Sequence, residues 1–422
     1  MALSLTDLAP HYHNGTPQGI TSVCSAHPLV LRAALRLGRE TEATVLIEAT
    51  CNQVNHQGGY TGMQPAEFAA MVFELAQGED CPKRLIILGG DHLGPNPWRD
   101  KFAEVAMAEA EKMVAAYVSA GFHKLHLDAS MGCAGEAEAL DDATTAMRAA
   151  RLAWVAEDTA KSRGLAPPLY IIGTEVPPPG GADHTLTSIE PTSPNATRQT
   201  LAVHEEVFKK NSLSDAFARV IGLVVQPGVE FGNQNVICYD RSKAHPLSAI
   251  LNDHKQIIFE AHSTDYQGTE PLSQLVADGF PILKVGPELT FVLREALYAL
   301  DLIATDLLPD YGNRPLYAAM EAVMVARPEN WNRYYGGGDA ARKILRHYSL
   351  SDRIRYYWAT EPAQSAVTHL FDTLRDREIP LPLIWQHLPQ GDAFAGKPLA
   401  PEDVVIWRVM RALKTYQFAC GA

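Results

Sequence analysis

The residues best placed to do chemistry sit in one short stretch, RLIILGGDHLGPNPW, residues 84–98. An apolar run breaks there on Gly89-Gly90 and is followed at once by Asp91 and His92. A carboxylate beside an imidazole can move a proton and hold a cation. At the C-terminal end of a buried strand, the pair occupies the place where α/β enzymes carry their reacting groups. The structural alternative is that Asp91 caps the next helix and His92 is a hydrogen-bonded core histidine. Three more polar groups share the setting. Glu175 follows an apolar run at 169–172, Gln226 one at 219–225, and His262 one at 256–259. Two imidazoles, an oxygen donor and an open position make a common shell for a catalytic divalent cation. Zinc is the first choice, with manganese, cobalt or nickel as alternatives. His262 could instead be tied to Glu260 or Asp265. His27, His56 and His126 are read as lying outside the metal shell.

Many carboxylates gather at the same strand ends: Glu48, Asp128, Glu175, Glu230, Glu260 and Asp265. They would repel one another unless a cation and Lys284 intervene. Ser263, Lys284 and Gly286 lie in or after the last two apolar runs, where barrels often bind phosphate through backbone amides. Arg353 and Arg355, much further along, could add charged forks to a phosphate, or could belong to a solvated helix face.

The elements that would position these groups are legible as alternation. Short apolar runs fall at 19–27, 44–47, 84–88, 124–127, 169–172, 219–225, 256–259 and 282–285, with helical patterns between them. Eight strands alternating with helices, each with a polar C-terminal end, predict a (β/α)8 TIM barrel over residues 15–305. A doubly wound sheet would use fewer strands, and no G-x-G-x-x-G follows the first one. Residues 306–422 read as a helical extension packed on the barrel.

Bulk properties narrow the class. A net charge of −13 argues against a nucleic-acid partner, because phosphate neutralisation needs excess Lys and Arg. It leaves room for a phosphorylated small molecule in a local cationic pocket. Six scattered cysteines suggest reduced thiols, with neither a disulfide framework nor a cysteine metal site. There is no secretory signal pattern and no run near the ~20 apolar residues of a membrane helix, so a cytoplasmic location without membrane contact is expected.

The blocks SVCSAHPLV, IEATCNQVN, GGYTGM, ILGGDHLGPNPW, HLDASM, GTEVPPPGG, VVQPGVEF, EAHSTDYQ, LKVGP and SLSDRIRYYW together resemble the GatZ/KbaZ (AgaZ) family. Its members are known as Z subunits of class II D-tagatose-1,6-bisphosphate aldolase and are often called tagatose-6-phosphate kinases. The resemblance runs from about residue 19 to the C-terminus. No P-loop or kinase Gly-rich loop is present, so kinase chemistry finds no support.

The resemblance implies a relation to class II aldolases, metal barrels acting on ketose phosphates. Asp91 and His92 match their acid/base and ligand pair, His262 matches their seventh-strand ligand, and Gln226 stands where a sixth-strand histidine is usual. It also implies a kinship with epimerases that invert C4 of ketoses by retro-aldol cleavage and re-addition. D-tagatose 6-phosphate is then the expected substrate, with Asp91 and Glu175 as acid/base groups on opposite faces. The alternative it carries is a non-catalytic subunit that stabilises and activates a partner aldolase. Self-association into a homo-oligomer is compatible with either.

Overall fold

The apolar runs form eight strands: β1 (Ile20–Val23), β2 (Val45–Thr50), β3 (Ile86–Leu93), β4 (Lys124–Leu127), β5 (Leu169–Ile172), β6 (Val220–Val225), β7 (Ile258–Ala261) and β8 (Ile282–Val285). The protein is described by a computed structural model over residues 3–174 and 188–421. Each strand pairs in parallel with the next, and β8 pairs with β1, Ile20 opposite Ile282, to close the barrel. Helices follow the strands on the outside, as right-handed crossovers require, from Pro28–Thr41 after β1 to Pro287–Leu307 after β8. Their starts carry local signals: Pro28 and Pro194 stand at first helical turns, and the Asp141 side chain caps Asp142–Arg163. This is a (β/α)8 barrel, as the alternation implies.

Alternating residues on each strand sort the interior into layers. At the N-terminal end lie Ile20, Leu46, Leu169, Ile171, Ile258 and Ile282, packed against Leu5, Leu8 and Ala9. Residues 1–18, read from the sequence only as a polar lead-in, therefore include an apolar plug: Leu5 and the helix Leu8–His13 close the barrel floor. Above this comes a charged layer. Lys124 lies 2.5 Å from Glu48 and 2.7 Å from Glu260, all three fully buried. Burying such charges is costly unless each is paired, and here each is. The polar site sits above, at the C-terminal mouth.

Beyond β8 the chain is helical: Pro315–Ala326, Asp339–Tyr348, Glu361–Leu374, Leu381–His387 and Pro401–Ala419. The last of these enters the barrel's own ring, packing against Pro28–Thr41, Thr269–Ala277 and Pro287–Leu307. Gly19 N–H donates to Cys420 O at 2.9 Å, and Tyr416 OH donates to Thr264 O at 2.8 Å. No described helix is long and apolar enough to cross a membrane.

Candidate active site

Asp91 and His92 lie inside β3, not beyond its tip. In a regular strand they would face opposite sides. The ladder to β4 skips between Gly90 and Leu93, and His92 adopts a left-handed φ of 50°. This bulge lets both side chains address the cavity, a use of bulges common near active sites. Gly94 then presses against the Asp128 carbonyl with no room for a Cβ, which draws the ends of β3 and β4 together.

Three imidazoles converge there. The ring centroids of His92, His126 and His262 are 4.9 to 5.1 Å apart. Each ring is held through one nitrogen by a carboxylate: His92 Nδ1 to Asp128 at 2.7 Å, His126 Nδ1 to Asp91 at 2.9 Å, and His262 Nε2 to Glu260 at 2.9 Å. The His92 backbone N–H also lies 3.2 Å from His126 Nδ1. The ionised Asp91 is the stronger partner, so we place the proton on Nδ1. Each ring is left with one nitrogen lone pair for the cavity. Among the described residues, His126 Nε2 is buried without a hydrogen-bond partner, an unusual state for a polar atom. One donor atom from each of Asp91, His92, His126 and His262 lies within 4.8 Å of the others. Carboxylate-braced imidazoles with free inward nitrogens are the donor set a divalent transition metal takes, so the residues present fit such an ion.

The electrostatics agree with that fit. Burial works to raise the Asp91 carboxyl, but His92, Lys284, the His126 bond and His262 hold it well below the usual range. Burial pushes His262 down to about 3, so its ring is neutral. Burial also opposes charge on His92, yet Asp91 and Asp128 pull its pKa above the ordinary value. The neighbourhood therefore favours added positive charge. Among Glu48, Asp91, Asp128, Glu260, Lys124 and Lys284, all buried, four carboxyl groups face two ammonium groups.

The other candidates are distributed as follows. Lys284 is bound into the charged layer, 2.5 Å from both Glu48 and Asp91. Gln226 turns back on its own loop, its Oε1 accepting from Gly228 N at 2.8 Å and Val229 N at 2.9 Å. The structure thus brings His126, not Gln226, to His92 and His262. A tight Q-P-G-V turn needs an internal acceptor, and Gln226 supplies it. Ser263 and Gly286 line the cavity, but the Gly286 N–H is already given to Asp265 at 3.0 Å. Arg355 lines the mouth, whereas Arg353 points away, donating to Asn330 O at 3.2 Å and lying over the Tyr334 ring. Glu175 falls within residues 175–187, outside the described residues. His126, expected from the sequence to lie outside the metal shell, stands among its candidate ligands, and Lys124 has no role in the expected site. Their signal is the spacing in KLHL, which puts both on one strand face opposite Leu125 and Leu127.

A closed barrel whose strand ends gather carboxylate-braced imidazoles beside an ionised aspartate defines a class: a barrel with a candidate cation site at its C-terminal mouth. Within that class the chain belongs to the D-tagatose-1,6-bisphosphate aldolase subunit GatZ/KbaZ-like family, whose model matches residues 5–421. It is 55% identical over 421 residues to the D-tagatose 6-phosphate 4-epimerase of Agrobacterium fabrum (strain C58), covering 100% of this chain and 99% of that one. It also resembles the crystal structure of a probable tagatose 6 phosphate kinase from Sinorhizobium meliloti 1021. There the identity is 51% and the TM-score 0.88, over 96% of this chain and 100% of that one.

Proposed function

We propose that the protein is a metal-dependent epimerase that inverts C4 of a ketohexose phosphate, D-tagatose 6-phosphate, by retro-aldol cleavage and re-addition. The observation that carries this is the trio of carboxylate-braced imidazoles beside Asp91, in a chain 55% identical to an epimerase for that sugar. His92, His126 and His262 would hold the divalent ion. When bound, the ion supplies electrophilic stabilisation of the negative charge that develops on the ketone oxygen.

The rest falls to the chain itself. Lys284 and His126 grip Asp91 Oδ1, which fixes the carboxylate, while Oδ2 lies 3.7 Å from His92 Nε2 and 3.9 Å from Cys24 Sγ. Asp91 takes the proton of the C4 hydroxyl as the C3–C4 bond breaks, and the bonding electrons pass to the C2–C3 fragment. The C4 aldehyde then turns its other face, and the same carbon re-forms the bond. The new C4 alkoxide takes a proton from a group on the opposite side, for which Glu175 is the sequence candidate. Both fragments must stay in place meanwhile, so the extension's segment over the mouth serves to exclude water. Phosphoryl transfer has no support here, since the chain carries no P-loop.

The test is to incubate the purified chain alone with D-tagatose 6-phosphate and a divalent metal, following carbon NMR. D-fructose 6-phosphate should appear. No turnover alone, with activity only on adding an aldolase subunit, would sink the proposal.

A further inference from the structure

A sugar phosphate carries a dianion into a mouth already rich in carboxylates, so its recognition requires a cation or free amides. Among the described residues, two cationic side chains line the cavity, Lys284 and Arg355. The ammonium of Lys284 is consumed by Glu48 and Asp91. The amides at the head of helix Pro287–Leu307, where a barrel commonly seats phosphate, are consumed too. Gly286 and Glu288 both donate to Asp265 Oδ1, at 3.0 and 2.8 Å.

Arg355 differs from both. Among the described residues it forms no ion pair with a carboxylate. Its guanidinium donates to the Ser351 and Asp352 carbonyls and, at 3.0 Å, to the Tyr356 hydroxyl. The Asp352 carboxylate is taken elsewhere, by Thr290 at 2.6 Å and Arg294 at 3.3 Å. Tyr356 meets Tyr60 edge to face, with centroids 4.8 Å apart, and both rings line the cavity with Arg355. Residues 175–187 contain no lysine or arginine that could serve instead.

Resting on the sugar-phosphate reading above, we propose that Arg355, flanked by Tyr356 and Tyr60, is the phosphate-recognition residue of this site. The helical extension thereby selects the substrate that the barrel transforms. One unpaired guanidinium serves one phosphate. The site accordingly prefers a monophosphorylated ketose, and a second phosphate meets carboxylates.

Calorimetry on the metal-loaded full chain tests this, since it reads binding and not turnover. For Arg355→Met, affinity for D-tagatose 6-phosphate should fall about 100-fold, with affinity for unphosphorylated D-tagatose unchanged. The wild type should bind the 1,6-bisphosphate no more tightly than the 6-phosphate. Inorganic phosphate should raise the melting temperature of the wild type and not of Arg355→Met. If Arg355→Met fails to fold, Tyr356→Phe and Tyr60→Phe each replace it, with a loss of about 5-fold confined to the phosphorylated ligand.

Equal losses for D-tagatose and its 6-phosphate would mark a merely structural residue and overturn the proposal. So would unchanged phosphate binding in Arg355→Met, or a bisphosphate bound about tenfold more tightly. A wild type that binds the 6-phosphate through Arg355 but never turns it over would sink the epimerase reading alone.

Discussion

The imidazoles of the wall and the guanidinium of the rim are held by opposite means. His92, His126 and His262 stand on or just past barrel strands, each fixed by a carboxylate at under 3 Å. Arg355 stands on a single turn, Arg353–Tyr356, braced by backbone carbonyls and a neighbouring phenol. Groups that must meet at one point need the rigid sheet beneath them. A group that greets one end of a ligand can ride on a later segment, where it is free to differ without disturbing the reacting centre.

That division can be broken from either side. The largest effect is expected on the wall. Asp91→Asn should lower kcat by about 10³-fold with little change in KM, measured by NMR turnover. A loss under about tenfold would remove Asp91 from the proton path. Beneath it, Lys124→Met leaves Glu48 and Glu260 with Lys284 as the one remaining ammonium between them and should cost about 3–5 kcal/mol in denaturant unfolding. His126→Ala should weaken metal affinity by about 100-fold in competition with a chelator, while Gln226→Ala should leave it unchanged. The reverse ranking would restore Gln226 as a ligand.

A smaller effect is expected from Asp265, which caps the helix after β8. Burial, with Glu288 adding to it, lifts this carboxyl to about 7. Tyr266 and Tyr416 are the other titratable groups facing it, and both are held neutral by burial. Its folded pKa lies above the unfolded value, so the folded state binds the proton more tightly. Stability should decline as pH rises from about 4 through about 7, and Asp265→Asn should flatten that part of the melting-temperature profile. The smallest effect belongs to Arg353→Met. It should cost some stability through lost packing on Tyr334 and leave phosphate selectivity alone, in contrast to its neighbour two residues on.

The barrel was legible because its strands advertise themselves. Runs such as LYII and ILKV are apolar, short and bounded by glycine or proline, and nothing in the fold overrides them. The charged middle layer was harder to see. Lys124 and His126 sit inside the fourth run and look like interruptions until the strand's face is known. Only the barrel's curvature turns them toward Glu48, Glu260 and Asp91. The bulge at His92 was equally hidden, since L-amino acids give little warning of a left-handed φ. Gln226 and Gly286 stood at the right strand ends, yet each is used by its own loop: an amide oxygen by a turn, an N–H by Asp265. Arg353 and Arg355 are two residues apart in one turn. Their separation into a packing residue and a mouth residue depends on a rotation no spacing rule encodes.

The place of helix Pro401–Ala419 in the ring has a consequence for synthesis. The helix that covers the first strand beside Pro28–Thr41 is synthesised only after all eight strands. A nascent chain with all eight strands still lacks one segment of its outer wall. The interval leaves apolar surface on Pro28–Thr41 and Thr269–Ala277 uncovered, an invitation to chaperones and to neighbouring nascent chains. Closure of the ring therefore waits for helix Pro401–Ala419, and its docking ends the period of vulnerability.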